Sequence, residues 1–236
     1  MTSYRRSIKS PRQRQRTRRK IMKLALLGLA IFTLFNTIRN RSSHRKMENS
    51  YDDGTYFETG AGYNSKYEGI RPELNVDLLD INSYSRPGTA LEEVNGVVVH
   101  YTANPGSSAK ANRDYFNDLQ NTHITKASSH FIVGLEGEIV QCVPCKEVAY
   151  ASNSRNSDTI SIECCIEDDT GKFNKKTYSS VVELVGWLVL RYDLEVDDVI
   201  RHYDVTGKNC PKYFVENPDE WDNFKDDVAK WVKKNK

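Results

Sequence analysis

Residues 76–236 predict a single layered α/β domain, a mixed β-sheet flanked by about three helices, set behind an N-terminal membrane helix and a spacer. Two observations carry this. Apolar runs of strand length, such as GVVVHY at 96–101 and TISIECCI at 159–166, alternate with stretches whose apolar residues recur every three or four positions. Strands interspersed with helices are expected where helices pack on the faces of a sheet.

The first 46 residues hold 14 of the 34 Lys and Arg and no acid, leaving 20 basic and 32 acidic side chains from 47 onward, a net of −12. The formal charge of +2 for the whole chain hides this acidic globular part, which argues against nucleic acid as a partner. Residues 1–20 read as a basic cytosolic segment. Residues 21–38 are apolar apart from Lys23, Thr33, Asn36 and Thr37, at the lower length limit for a membrane helix. Ten basic residues precede or enter this stretch, so it is expected to be a signal anchor that keeps the N-terminus in the cytosol and places the domain outside. The alternatives are a cleaved signal peptide and a secreted domain, although Phe35-Asn-Thr-Ile-Arg-Asn-Arg offers no clean small-x-small site, and a buried helix. Residues 39–75, rich in Ser, Asn, Gly, Tyr and charge, read as a spacer.

Within the domain, Val97, Val98 and Val99 mark a buried strand with His100 near its end. After the turn at Asn104-Pro-Gly106, Ala111, Tyr115 and Leu119 recur every four residues and predict a helix. Ser129–Leu135 and Glu138–Val143, parted by Glu136-Gly137, predict a β-hairpin. In TISIECCI, Ile160, Ile162, Cys164 and Ile166 point one way and Ser161, Glu163 and Cys165 the other. A second helix fits 178–192 through Val181, Val185, Leu188 and Tyr192. Val199–His202 reads as a short strand that delivers a histidine. Pro218 opens a closing amphipathic helix carrying Trp221, Phe224, Val228 and Trp231. Once Cys210 is set aside, Cys142, Cys145, Cys164 and Cys165 read as structural thiols ahead of a disulfide or a second zinc site, because Cys142-Val-Pro-Cys145 has no matching second pair.

The chemistry concentrates in His100, His202 and Cys210, which together supply the two nitrogens and one sulfur of a catalytic zinc site. Three protein ligands leave a coordination position open for water, whose pKa zinc brings to about 7, so hydrolysis is the reaction this set suits. A lone histidine is more often structural, and His44 and His123 read that way. His100 differs because it ends a strand, where a rigid element can fix its ring. The small polar residues of Thr102-Ala-Asn104 follow it and can line a cleft. Glu163 is a charge in a strongly apolar strand, and a buried carboxylate needs a partner or a function.

From about Val94 to Phe214 the chain resembles the zinc-dependent N-acetylmuramoyl-L-alanine amidases, whose fold is shared with bacteriophage T7 lysozyme and the peptidoglycan recognition proteins. The resemblance rests on VVVHYTAN at 97–104, SSHFIVGLEGEIVQCVP at 128–144, NSDTISIECC at 156–165 and RHYDVTGKNCP at 201–211. It implies Zn2+ held by His100, His202 and Cys210, with Glu163 acting on the zinc water and Lys208 stabilising the intermediate. Tyr101, Thr102, Asn104 and Tyr150 are the expected substrate contacts. Two departures stand out. Ser129 replaces the tyrosine that the phage-lysozyme branch has before His130-Phe131, so the base role falls to Glu163. Val148-Ala-Tyr-Ala-Ser152 also lacks the tryptophan-histidine pair of many relatives. His130 is expected to be structural or to support the site from outside, since a fourth ligand would close it.

The implied activity is cleavage of the amide bond between the lactyl group of N-acetylmuramic acid and L-alanine of the peptidoglycan stem peptide, by a membrane-tethered monomer. Two other readings stay open. A recognition module would bind muropeptides without cleaving them, although such modules lack the cysteine ligand. A zinc peptidase would act within the stem peptide, although no H-E-x-x-H helix favours one.

Overall fold

The computed structural model describes residues 64–236. The expected segments 1–20 and 21–38 and most of the spacer 39–75 lie outside the described residues. Among the described residues no helix is long and apolar enough to cross a membrane.

Six strands form one sheet: β1 (Asn75–Val76), β2 (Val97–Tyr101), β3 (Phe131–Val133), β4 (Ile139–Gln141), β5 (Ile160–Cys164) and β6 (Val199–Arg201), in the order β1-β4-β3-β5-β2-β6. Strands β3, β5, β2 and β6 run parallel to one another; β4 returns antiparallel to β3, and β1 lies parallel to β4. The mixed sheet is the one the sequence predicts. Its hairpin turns at Gly137, whose φ of 86° is a left-handed conformation that glycine adopts without strain.

Strand alternation sorts the side chains between two cores. Val97, Val99, Phe131, Val133, Ile160, Ile162 and Cys164 face helices α2 (Lys175–Arg191) and α5 (Pro218–Asn235). Ile132, Val140 and Cys165 face helix α1 (Ala109–Thr122) and Leu79 on the other side. Because both faces are covered, Ser161 and Cys165 are as buried as Ile160 and Ile162, and only Glu163 of β5 keeps some exposure. His100 and Glu163 are register partners at the ends of adjacent central strands. All five cysteines are free and buried, the state expected of Cys142, Cys145, Cys164 and Cys165 as structural thiols.

The helices follow their caps. Asn174 accepts the Thr177 N–H at 2.9 Å to open α2, and Pro218 with Asp219 and Glu220 opens α5. Val181, Val185 and Leu188 of α2 and Trp221, Phe224 and Val228 of α5 are buried as expected. Gly186 allows the two helices to approach closely: a Cβ there would lie 2.4 Å from Trp231 Cε3. Helix α1 corrects the expected stripe. Its buried residues are Ala109, Asn112, Phe116 and Leu119, whereas Ala111 is exposed and Tyr115 is 47% exposed. Asn112 can face inward because its amide donates to Ser107 Oγ at 2.8 Å and Ser108 O at 2.9 Å, which turns Phe116 toward the sheet in place of Tyr115.

Residues ahead of β1 also pack. Asn64 N–H donates to Arg191 O at 2.9 Å, Trp187 Nε1–H donates to Tyr67 O at 3.2 Å, and Glu68 pairs with Arg191 at 2.5 Å. After β1, Leu79 is buried and Arg86 makes a two-pronged ion pair with the buried Glu147, at 2.7 and 2.8 Å.

Candidate metal centre

The carboxyl ends of parallel strands are where open α/β sheets place their ligands. Here β2 brings His100, β5 brings Glu163 and β6 leads into His202. His202 stands one residue beyond the strand end, because Asp204 accepts the Arg201 N–H at 2.8 Å and starts the short helix α3 (His202–Thr206). Gly207, with φ 76°, ends that helix. The chain then folds back: Tyr203 N–H donates to Cys210 O at 2.9 Å, which brings the cysteine beside the histidines. Helix α4 (Lys212–Glu216) follows and anchors this return through buried Phe214.

The ligand-type atoms of His100, His202 and Cys210 all lie within 4.8 Å of one another, and all three residues are buried. Cys210 Sγ is 3.8 Å from His100 Nδ1, and the two imidazole centroids are 4.6 Å apart. The far nitrogen of each ring is engaged elsewhere: His100 Nε2 lies 3.2 Å from Ser152 Oγ, and His202 Nε2 lies 2.9 Å from Asn153 Oδ1. His202 Nδ1 and Glu163 Oε2 are buried with no hydrogen-bond partner, and Glu163 Oε1 is 4.0 Å from His100 Nδ1. Buried polar atoms without partners cost about 1–3 kcal/mol each. A cation held by His100, His202 and Cys210 would satisfy the orphan imidazole nitrogen, so the residues present fit a metal ion.

The electrostatics of the two histidines agree with the geometry. Burial holds the imidazole of His100 well below the ordinary histidine range, with His202 and Lys208 adding to the effect. His202 is lowered as well, by burial and then by Lys208. Both rings are therefore neutral at pH 7, the form that offers a lone pair. Burial pushes the Glu163 carboxyl up to about 8 against the pull of Lys208. Burial and then the Glu163 charge push the Cys210 thiol up to about 12.

A cleft of about 350 Å³ opens over the cluster. Of the residues singled out in the sequence, His100, Tyr101, Tyr150, Glu163, His202, Lys208 and Cys210 line it. Thr102 and Asn104 do not. Thr102 N–H donates to Cys164 O at 3.0 Å, Ala103 turns the chain with φ 50°, and Asn104 is exposed in the following loop. His130 lies outside the cluster and is structural: its Nε2 bonds Glu147 O at 2.9 Å and its Nδ1 accepts the Ser161 N–H at 3.0 Å. His123 caps α1 and stacks on Tyr84 at 4.3 Å. Sequence reasoning missed Asn153 and gave Ser152 no contact with the ligands. It also missed Lys126, which lines the cleft with its Nζ 5.7 Å from the Tyr150 ring centre. The one signal available for these residues was position: Ser152 ends the stretch where the tryptophan-histidine pair is replaced, and Lys126 stands two residues before Ser128-Ser-His130.

Several known proteins are similar to this chain in sequence or in fold. A family model described as N-acetylmuramoyl-L-alanine amidase matches residues 90–213. N-acetylmuramoyl-L-alanine amidase CwlL of Bacillus licheniformis is 38% identical over 165 residues, which are 64% of this chain and 45% of that protein. N-acetylmuramoyl-L-alanine amidase BlyA of Bacillus subtilis (strain 168) is 34% identical over 171 residues, 64% of this chain and 45% of that protein. The chain thus spans less than half the length of these curated relatives. The solved catalytic domain of XlyA aligns with a TM-score of 0.57 at 28% identity, over 66% of this chain and 99% of that one. The structure of PlyL aligns with a TM-score of 0.58 at 22% identity, over 66% and 97% of the two chains, a likeness of fold alone. All four sequence motifs and every residue of the cluster fall inside the matched stretch, which is more than half of the chain: it belongs to the N-acetylmuramoyl-L-alanine amidase family.

Proposed function

We propose that this chain hydrolyses the amide bond between the lactyl group of N-acetylmuramic acid and L-alanine of the peptidoglycan stem peptide, using zinc held by His100, His202 and Cys210. One observation carries the reading: ligand-type atoms of three buried residues, one from the end of β2 and two from the stretch that follows β6, lie within 4.8 Å of one another in the lining of an open cleft. When bound, zinc supplies Lewis-acid chemistry, polarising a carbonyl oxygen and acidifying water. Glu163 takes the proton of the attacking water and returns it to the departing L-alanine nitrogen. A carboxyl raised to about 8 suits both halves of that transfer near neutral pH. Lys208, in the cleft wall, offers its ammonium to the oxyanion, a contact type whose loss costs about 3–4 kcal/mol of barrier. Tyr101 and Tyr150 frame the space the muropeptide enters. Water adds across one C–N bond, giving a muramic acid carboxylate and a stem peptide with a free amine. The basic head and the apolar stretch at 21–38 support tethering of the domain to the outer face of the membrane.

The test is digestion of purified cell wall by the wild-type chain and by Glu163→Gln, read by mass spectrometry. A new free L-alanine amino terminus supports the amidase, whereas cleavage further along the stem, or muropeptide binding without cleavage, refutes it. Glu163→Gln should keep its zinc and lose about 10²–10⁴-fold in turnover; a Gln variant with full activity would remove Glu163 from the mechanism.

A further inference from the structure

We infer that the turn from Ser152 to Asn156 is the positioning unit of the metal centre: Ser152 Oγ and Asn153 Oδ1 accept the Nε2–H of His100 and His202, so both rings present Nδ1 to the ion. The inference rests on the zinc reading above and deepens it. A neutral imidazole carries its proton on one nitrogen, and only the other can bind a metal. Which nitrogen is free is decided by the acceptor that the N–H finds.

Both acceptors here come from consecutive residues of one turn. His202 Nε2 to Asn153 Oδ1 is 2.9 Å and His100 Nε2 to Ser152 Oγ is 3.2 Å. The nitrogens left over are those on the metal side: His100 Nδ1 lies 3.8 Å from Cys210 Sγ, and His202 Nδ1 is buried with no partner. The turn is itself held from below. Asn156 Oδ1 accepts the N–H of Ala151 at 3.0 Å and of Ser152 at 2.5 Å, and Ser152 O accepts the Arg155 N–H at 2.9 Å. Asn153 sits at φ 53°, a left-handed conformation that most residues avoid and asparagine tolerates. Ser152 is buried, whereas Asn153 is exposed apart from its contact with His202, so packing alone gives no reason for that side chain to point at the ring.

The experiment is a competition titration of Zn2+ against a chelating dye, on the full chain, for wild type, Ser152→Ala, Asn153→Ala and Asn153→Asp. Nitrogen-15 NMR of the metal-free histidine rings reads the tautomers of the same samples. Each alanine variant should bind zinc about 10–100-fold more weakly. Asn153→Asp, which keeps an acceptor oxygen in place, should recover to within a few-fold of wild type. In Asn153→Ala the His202 proton should spread over both nitrogens, with the melting temperature of the metal-free protein lowered only by the few degrees that alanine's left-handed strain costs. Alanine variants that bind zinc as tightly as wild type would overturn the inference. So would an Asn153→Asp variant as weak as Asn153→Ala, because an acceptor oxygen at this position would then not be what holds the ring. A wild-type chain that fails to bind zinc would overturn the zinc reading itself.

Discussion

His130 is a buried base whose burial leaves a signature in stability against pH. Its ring is 1% exposed; Nε2–H donates to Glu147 O at 2.9 Å and Nδ1 accepts the Ser161 N–H at 3.0 Å. A second proton on Nδ1 would displace the Ser161 N–H from that lone pair and leave Ser161 Oγ, 3.0 Å away, as its one acceptor. Burial lowers its pKa from 6.5 to about 4, partly opposed by the Glu147 carbonyl and charge. The sign follows from which state takes up the proton. Between pH 6.5 and 4 the unfolded chain protonates this side chain and the folded one does not, so stability is full above 6.5 and falls with pH through that window. At about 1.4 kcal/mol per pKa unit, the loss reaches about 3 kcal/mol near pH 4. In a domain of this size that is on the order of 10 °C in melting temperature. The assay is urea unfolding of wild type and His130→Gln at a series of pH values from 7.5 to 4. The glutamine variant is destabilised at pH 7 by its imperfect fit, yet it has no proton to gain. The wild-type curve should therefore fall more steeply than the variant's by about 3 kcal/mol across the window. Other titrating groups, His100 and His202 among them, contribute to both curves and cancel in the difference. Parallel curves would refute the reasoning, because His130 would then take up its proton alike in both states.

Two further predictions test packing. Arg86→Met leaves the Glu147 carboxylate buried without its two-pronged partner and should cost about 3–5 kcal/mol, whereas the Arg86→Met/Glu147→Met double variant should recover most of it. Urea unfolding of Arg86→Met, Glu147→Met and the double variant completes the cycle, and simple additivity would refute the pairing. Gly186→Ala drives a methyl to within 2.4 Å of Trp231 Cε3 and should destabilise by about 1–3 kcal/mol despite alanine's better helix propensity. Adding Trp231→Leu should restore part of that loss in a thermal melt; no recovery would mean the clash lies elsewhere.

What the sequence made legible was whatever a short window can hold. The valines of β2, the alternation of β5 and the stripe of α2 are local patterns, and each element lies where its pattern put it. His100, His202 and Cys210 could be paired despite their separation because metal chemistry restricts which residue types can share a site. The face of α1 was misread because a polar residue, Asn112, points inward on hydrogen bonds that periodicity does not register. Thr102 and Asn104 were assigned to the cleft by adjacency, but the backbone turns away at Ala103. The Arg86–Glu147 pair spans 61 positions and has no local signature. Ser152 and Asn153 carry the commonest loop side chains, and only their distance to two rings sets them apart.

These differences in legibility follow how the parts of the site are held. His100 and Glu163 sit on β2 and β5, which are paired over five residues between two apolar cores, so their Cα positions are fixed by burial far from any ligand. His202 and Cys210 share one short stretch, closed by the bond from Tyr203 N–H to Cys210 O and anchored by buried Phe214. In each case apolar packing sets where the residue stands. A strand or helix end does not set the rotation of an imidazole about its own bonds, and a metal ligand needs that angle as well. The missing constraint comes from a polar turn that contributes nothing to either core, which is why hydrophobic pattern revealed the ligands and passed over the residues that aim them.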